Sequence, residues 1–273
     1  MPDITSPNDT VAVEVRDAVA WITLNRPQSL NALNRDLVAA MIAITTAIRA
    51  DATIRAVVLR GAGDHFMAGG DIKFFHDRLD AEPDKTAIRH EFEGLLNDVH
   101  AVILNMRAMP QPILASVRGA VAGAGVSFML ACDLVLATED AFFTLAYCHL
   151  GVSPDGGSTF ALPRMVGLKR AFEITLLGDR FDAATAERWG LINKVVAETD
   201  LGAETDEIAS RLASGPTHAH AHAKALLNAS LERGLVEQLD AETAAFADCT
   251  TTDNFAEGVD AFINKRKPSF SGE

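Results

Sequence analysis

The sequence predicts an α/β fold, with a mixed α/β core followed by a helical C-terminal segment. Three observations carry this expectation. Strand-like apolar runs alternate with runs at helical spacing through the first 157 or so residues. Two glycine-rich loops, 60–71 and 119–125, each follow a short strand. After Ser153-Pro154-Asp155-Gly156-Gly157 the strand signals shrink to Lys194–Ala197 while amphipathic helices continue to about Lys265. At 273 residues, 48% apolar and 22% charged, the chain can bury one enzyme-sized core.

Residues 11–24, VAVEVRDAVAWITL, read as two strands turning near Arg16-Asp17, the second ended by Arg26-Pro27. From Asn34 to Ile48 the period changes: Leu37, Val38, Met41, Ile42, Ile44 and Ile48 fall at helical spacing. A strand over Ile54–Leu59 completes a β-β-α-β opening. A long helix follows over Ala87–Met109, stopped by Pro110 and Pro112. Ile113–Val117 is a short apolar strand, Val126–Ala131 a buried helix, Asp133–Ala137 and Ala141–Leu145 two more strands, and Ser158–Val166 a helix. The expected organisation is a flexible start over 1–10, a core over 11–200 and a helical segment over 201–273.

Composition excludes several function classes. A net charge of -13 repels a nucleic-acid backbone or an anionic membrane at long range, and one Tyr with two Trp gives no platform for stacking bases. No apolar run reaches the roughly 18–20 residues of a membrane span. The start MPDITSPNDT lacks export or transit character, so a cytoplasmic location is expected. Cys132, Cys148 and Cys249 are odd in number and far apart, as reduced thiols are. His218 and His222 share a helix face in HAHAHAK, but no third ligand is evident there. That segment, with His220, is expected to be a solvated face, and no metal is expected.

The glycine loops admit two readings. Gly61-Ala-Gly63 and Gly123-Ala-Gly125 mimic a dinucleotide fingerprint but lack its third glycine. They are either tight packing turns or loops whose bare N–H groups converge on a developing oxyanion. Asp155 is likewise either an N-cap for the following helix or a general base whose pKa partial burial would raise. Spacing does not separate these readings. His100 reads as structural or surface. There is no G-x-S-x-G elbow, Walker A loop or H-E-x-x-H.

Taken in order, the motifs resemble those of the enoyl-CoA hydratase/isomerase (crotonase) superfamily. The resemblance rests on Leu24-Asn-Arg-Pro with Asn31-Ala-Leu33, Phe66-Met-Ala-Gly-Gly-Asp-Ile-Lys73, Pro112 through Asp133, and Leu150-Gly-Val-Ser-Pro-Asp-Gly-Gly157. Leu162-Pro-Arg164, Ala186-Glu-Arg-Trp-Gly-Leu-Ile192 and Glu257 through Arg266 extend it. It implies a crotonase-like spiral of ββα units with a C-terminal helical oligomerisation region, a homotrimer or dimer of trimers, and an acyl-CoA thioester substrate. No cofactor is implied beyond the coenzyme A of the substrate.

By the same resemblance the N–H groups of Gly70 and Ala124 polarise the thioester carbonyl. Arg26, Ala32, Ala68, Asp71, Ile72, Lys73, Ser127 and Tyr147 contact the substrate, while Phe262 and Lys265 reach the CoA nucleotide from a neighbouring subunit. Hydratases of the family hold two glutamates around a water, and the matching positions here are Ser127 and Tyr147. Asp155 remains, in a Pro-Asp-Gly-Gly context similar to that of ring-epoxide phenylacetyl-CoA isomerases. The expected activity is therefore enoyl-CoA isomerisation with Asp155 as acid/base. Hydration, 4-chlorobenzoyl-CoA-type dehalogenation with His100 as the base, and silent acyl-CoA binding are the alternatives. The acyl group would be set by the stretch 74–93.

Overall fold

The computed structural model describes residues 4–271. The start expected to be flexible is described only from residue 4, and there Asn8 Nδ2 donates to the Asp36 carbonyl at 2.9 Å while Asn25 N donates to that of Thr10 at 2.7 Å.

The chain opens on a hairpin of β1 (Val11–Arg16) and β2 (Val19–Leu24), antiparallel, with Asp17 and Ala18 both at positive φ as a two-residue turn of matching twist requires. Helix α1 (Arg35–Ala50) starts where the Asn34 side chain accepts from Leu37 N at 3.0 Å, and it buries Leu37, Val38, Met41, Ile44 and Ile48. Strands β3 (Ala56–Gly61), β4 (Ile113–Val117), β6 (Leu134–Thr138) and β9 (Lys194–Val196) add in parallel to give a six-stranded sheet ordered β1-β2-β3-β4-β6-β9. Its central strands are covered on both faces, which is why they read as near-continuous apolar runs.

One helix and two short strands were not foreseen. Helix α2 (Ile72–Ala81) begins at an Asp71 cap and buries no residue, so its periodicity was too weak to read. Strand β5 (Ala120–Ala122) lies inside the second glycine loop and pairs with β7 (Phe142–Thr144); with β8 (Phe181–Asp182) these form a second, three-stranded sheet. The long helix α3 runs over Lys85–Ala108. Helix α5 (Ser158–Leu177) kinks at Gly167, φ 74°, just past the expected end at Val166, and then resumes. The short α6 covers Ala183–Arg188.

Helix α4 (Ala124–Ala131) is buried at every position, and Gly125 is required there: a Cβ would stand 2.3 Å from the Met67 carbonyl oxygen. Helix α7 (Leu201–Ala213), at the start of the expected helical segment, packs Leu201, Ala209 and Ala213 on the sheet face formed by Trp21, Val58, Leu114 and Leu136. Helices α8 (Thr217–Ala229), α9 (Leu235–Cys249) and α10 (Asp253–Ile263) complete the chain. The buried Lys224 anchors α8: its Nζ pairs with Asp133 at 2.8 Å and donates to the Met106 and Gln111 carbonyls. Among the described residues no helix is long and apolar enough to cross a membrane.

Asn31 organises the loop beneath the site. Fully buried, it donates to the Ala62 and His65 carbonyls at 3.0 and 2.7 Å and accepts from Arg26 N at 2.9 Å. It also stands at φ 57°. Asn31→Ala strands three part-buried polar groups in a backbone conformation that Asn tolerates better, so a loss of about 1–3 kcal/mol is expected in urea unfolding. A loss below about 0.5 kcal/mol would show that the loop does not depend on this side chain.

Candidate active site

The two glycine loops meet. Gly69 O accepts from Leu33 N and Asp71 N donates to Leu33 O, so in this parallel bridge the N–H of Gly70 points away from Leu33. Ala124 is the first residue of α4, and its N–H precedes the first intrahelical acceptor. Neither donor has a protein acceptor among the described residues. The loops touch: a Cβ built on Gly69 would lie 3.6 Å from Ala124 N, and one on Gly123 would lie 3.6 Å from the Gly69 Cα and 3.9 Å from the Tyr147 ring. Of the two readings left open above, converging donors fits this geometry.

Tyr147 and Asp155 face this pair of loops. A turn with Ala146 at φ 50° delivers Tyr147, whose hydroxyl donates to Asp155 Oδ1 at 2.6 Å. The Asp155 backbone is fixed from two sides, its carbonyl accepting from Ser127 Oγ and Ser158 Oγ, each at 2.9 Å. Gly156 is needed beside it at φ 59°, where a Cβ would fall 2.7 Å from that of Ser127. The N-cap reading of Asp155 is not what forms: α5 is capped by Gly157, with no side-chain cap bond.

Burial pushes the Asp155 carboxyl above the usual carboxylate range, against the pull of the Tyr147 hydroxyl and of the nearby His100. Burial and the Asp155 charge push the Tyr147 phenol up, so it stays protonated and donates. Oδ1 thus accepts from Tyr147, while Oδ2 accepts no hydrogen bond among the described residues. His100 is exposed on α3 and makes no hydrogen bond to Asp155 among the described residues.

The enoyl-CoA hydratase/isomerase family profile matches residues 14–273 of the sequence. The chain belongs to the enoyl-CoA hydratase/isomerase family. It is 37% identical to a Rhodobacter capsulatus protein named "Probable enoyl-CoA hydratase", over 96% of this chain and 98% of that one. It is 34% identical to the 1,2-epoxyphenylacetyl-CoA isomerase of Escherichia coli K12, over 95% and 97%. A crystal structure of an enoyl-CoA hydratase from Polaromonas sp. JS666 superposes with a TM-score of 0.88 at 32% identity, covering 96% of this chain and 99% of that one. The crotonase-like fold expected from the motifs is therefore present.

Within this family frame, the residues expected at the substrate fall into three groups. The loops that carry Gly70 and Ala124 meet, and Ser127, Tyr147 and Asp155 are joined by hydrogen bonds beside them. Arg26, Ala32 and Asp71 form a second knot: the Arg26 guanidinium pairs with Asp71 Oδ2 at 2.8 Å and donates to the Ala32 carbonyl, while Asp71 Oδ1 caps α2 by accepting from Phe74 N. Arg26 here ties two loops together, and its pairing holds the Asp71 carboxyl down although burial opposes it. Ala68 lies between these groups, its N donating to Leu30 O, and Ile72 and Lys73 are exposed at the start of α2, Lys73 pairing with Asp77 at 2.7 Å.

Phe262 and Lys265 form the third group, at the end of α10, where Phe262 lines an apolar groove with Pro216, Phe255 and Val259. One site neighbour was not singled out from the sequence. Phe75 places its ring tip 2.7 Å from where a Gly70 Cβ would stand and packs edge-on against Phe92 at 5.0 Å. Only its position in the stretch 74–93 pointed to it.

The histidine segment departs from the expected solvated face. His220 turns inward with a buried, unpartnered Nδ1, and His218 and His222 both meet Asp248 of α9.

Proposed function

We propose that the chain is an enoyl-CoA isomerase that moves a double bond of an acyl-CoA thioester between the β,γ and α,β positions. The observation that carries this reading is the single carboxylate: among the residues that converge with Gly70 and Ala124, Asp155 alone can exchange a proton. Ser127 spends its hydroxyl on the Asp155 carbonyl, and Tyr147 spends its own on the Asp155 carboxylate. Adding water requires one group to activate it and another to deliver a proton, whereas a proton shuttle requires one carboxylate.

In this mechanism the thioester oxygen sits between the N–H groups of Gly70 and Ala124. As Asp155 removes a C2 proton, the C–H electron pair flows toward the carbonyl and the donors take the developing oxyanion. The protonated Asp155 then returns the proton at C4, and the electrons shift to close the C2–C3 double bond. A carboxyl pushed upward by burial is a stronger base than an exposed aspartate and closer to working pH. Phe75 and Phe92 are taken as part of the acyl wall. Exposed Leu227, Leu235, Phe246 and Phe262 on the last three helices support reading that region as the surface for a homotrimer or a pair of trimers, through which Phe262 and Lys265 would reach a neighbour's CoA.

Tyr147→Phe tests the pairing. It removes a hydrogen bond that holds the Asp155 pKa down, so the acid limb of the kcat/KM profile is expected to move upward. A limb that stays in place would detach Tyr147 from control of Asp155. The reading itself is tested by offering purified protein a 3-enoyl-CoA and a 2-enoyl-CoA and following absorbance of the conjugated thioester. Gain of conjugation from the first without loss from the second supports isomerisation. Rapid loss from the second supports the hydratase reading, which the relatives' names favour, and no change in either leaves a binding protein.

A further inference from the structure

Helices α8 and α9 bring together four side chains that the proposed acyl-CoA chemistry does not use. His218 and His222, one turn apart on α8, place their Nε2 atoms 3.2 Å from each other and 2.7 and 2.9 Å from a single oxygen, Oδ2 of Asp248. Cys249 is the next residue, at the C-terminal end of α9, and its Sγ and one ring nitrogen of each histidine all lie within 4.8 Å of one another. We propose that His218, His222, Asp248 and Cys249 form a binding site for a divalent cation of the zinc class, which clamps α8 to α9.

The donor set and its spacing support this. Two imidazoles, a thiol and a carboxylate are the ligand types that a borderline-soft, tetrahedral cation prefers. Zinc–nitrogen bonds of about 2.0–2.1 Å at tetrahedral angles set two nitrogens about 3.3 Å apart, close to the 3.2 Å found. The two nitrogens and the carboxylate oxygen already converge. Binding of a cation by the thiolate would release the thiol proton to solvent. The helix C-terminus at Cys249 also favours positive charge. His218 and Cys249 also line the apolar groove beside α10.

Neither helix alone makes the site. Thirty residues separate His218 from Asp248, so the histidine spacing in the sequence showed two ligands at most. The site is also apart from the proposed chemistry, which uses α4 and the loops before α2 and α5.

The test is cobalt(II) titration of chelator-treated, reduced full-length protein, read by absorbance. One equivalent per chain is expected to give the strong visible bands of a tetrahedral ion with a near-ultraviolet sulfur-to-cobalt band, and zinc(II) should bleach both. Cys249→Ser should lose the near-ultraviolet band, and His222→Ala should weaken binding at least about tenfold. Zinc should raise the melting temperature of the parent but not of His222→Ala. If His222→Ala fails to fold by circular dichroism, the near-isosteric Cys249→Ser decides. Weak six-coordinate bands, no binding, or a charge-transfer band that persists in Cys249→Ser would overturn the site.

Discussion

Asp155→Asn is expected to lower the turnover of a 3-enoyl-CoA by about a hundred- to ten-thousandfold without weakening the fold. The amide keeps the shape and still accepts from Tyr147, but it takes no proton from C2. The stability half of this expectation has its own cause. Because burial raises the Asp155 pKa in the folded protein, the folded state binds more protons than the unfolded one between the ordinary aspartate pKa and the raised value. Stability therefore falls as pH rises through that window, and the ionised carboxylate is a cost at neutral pH. Asn removes that cost, so its midpoint in urea at pH 7 should equal or exceed the parent's. No helix cap is lost, since Gly157 occupies that position. A variant that turns over normally, or one that unfolds early at every pH, would remove Asp155 from the chemistry.

The second large effect is expected at Gly70, where the contribution is a backbone N–H and only proline deletes it. Any Cβ at this position presses on the Phe75 ring, so Gly70→Pro alone would mix a lost donor with a displaced wall. Gly70→Ala supplies the comparison: it carries the Cβ and keeps the N–H. The proline variant should be slower than the alanine variant by about a hundredfold or more, the usual consequence of losing one oxyanion donor, at similar melting temperatures. Equal rates for the two would place the oxyanion elsewhere and leave this loop a packing turn.

Much of this site was legible in the sequence because its parts are local. The strand Ile113–Val117 has the bounds expected, since Pro112 and Gly119 bracket an unbroken apolar run. Asn34 and the apolar positions from Leu37 to Ile48 fixed α1 by capping and period. The glycine loops were visible as loops, but whether their N–H groups converge depends on a parallel bridge between Leu33 and Gly70 and on contact between Gly69 and Ala124, which no spacing encodes. The same holds for Tyr147 and Asp155. Eight residues apart, they meet only because a 3-10 turn over Tyr147–Leu150 and the Pro154-Asp155-Gly156 corner fold back on each other. Lys224 looked like the solvated end of a histidine run, yet it is buried against Asp133 and the end of α3. Strand β5, three residues that pair only at long range, and helix α2, which buries no residue, left no periodic trace.

On this mechanism one carboxylate shuttles a proton between C2 and C4 and no water is added. The most direct measurement is proton NMR of a 3-enoyl-CoA incubated with the protein in D2O. A 2-enoyl-CoA product is expected, with any deuterium taken up from solvent confined to C2 and C4, formed by the parent and not by Asp155→Asn, with no 3-hydroxyacyl-CoA signal. Accumulation of 3-hydroxyacyl-CoA at a rate comparable to double-bond migration, or migration that survives the loss of Asp155, would contradict it.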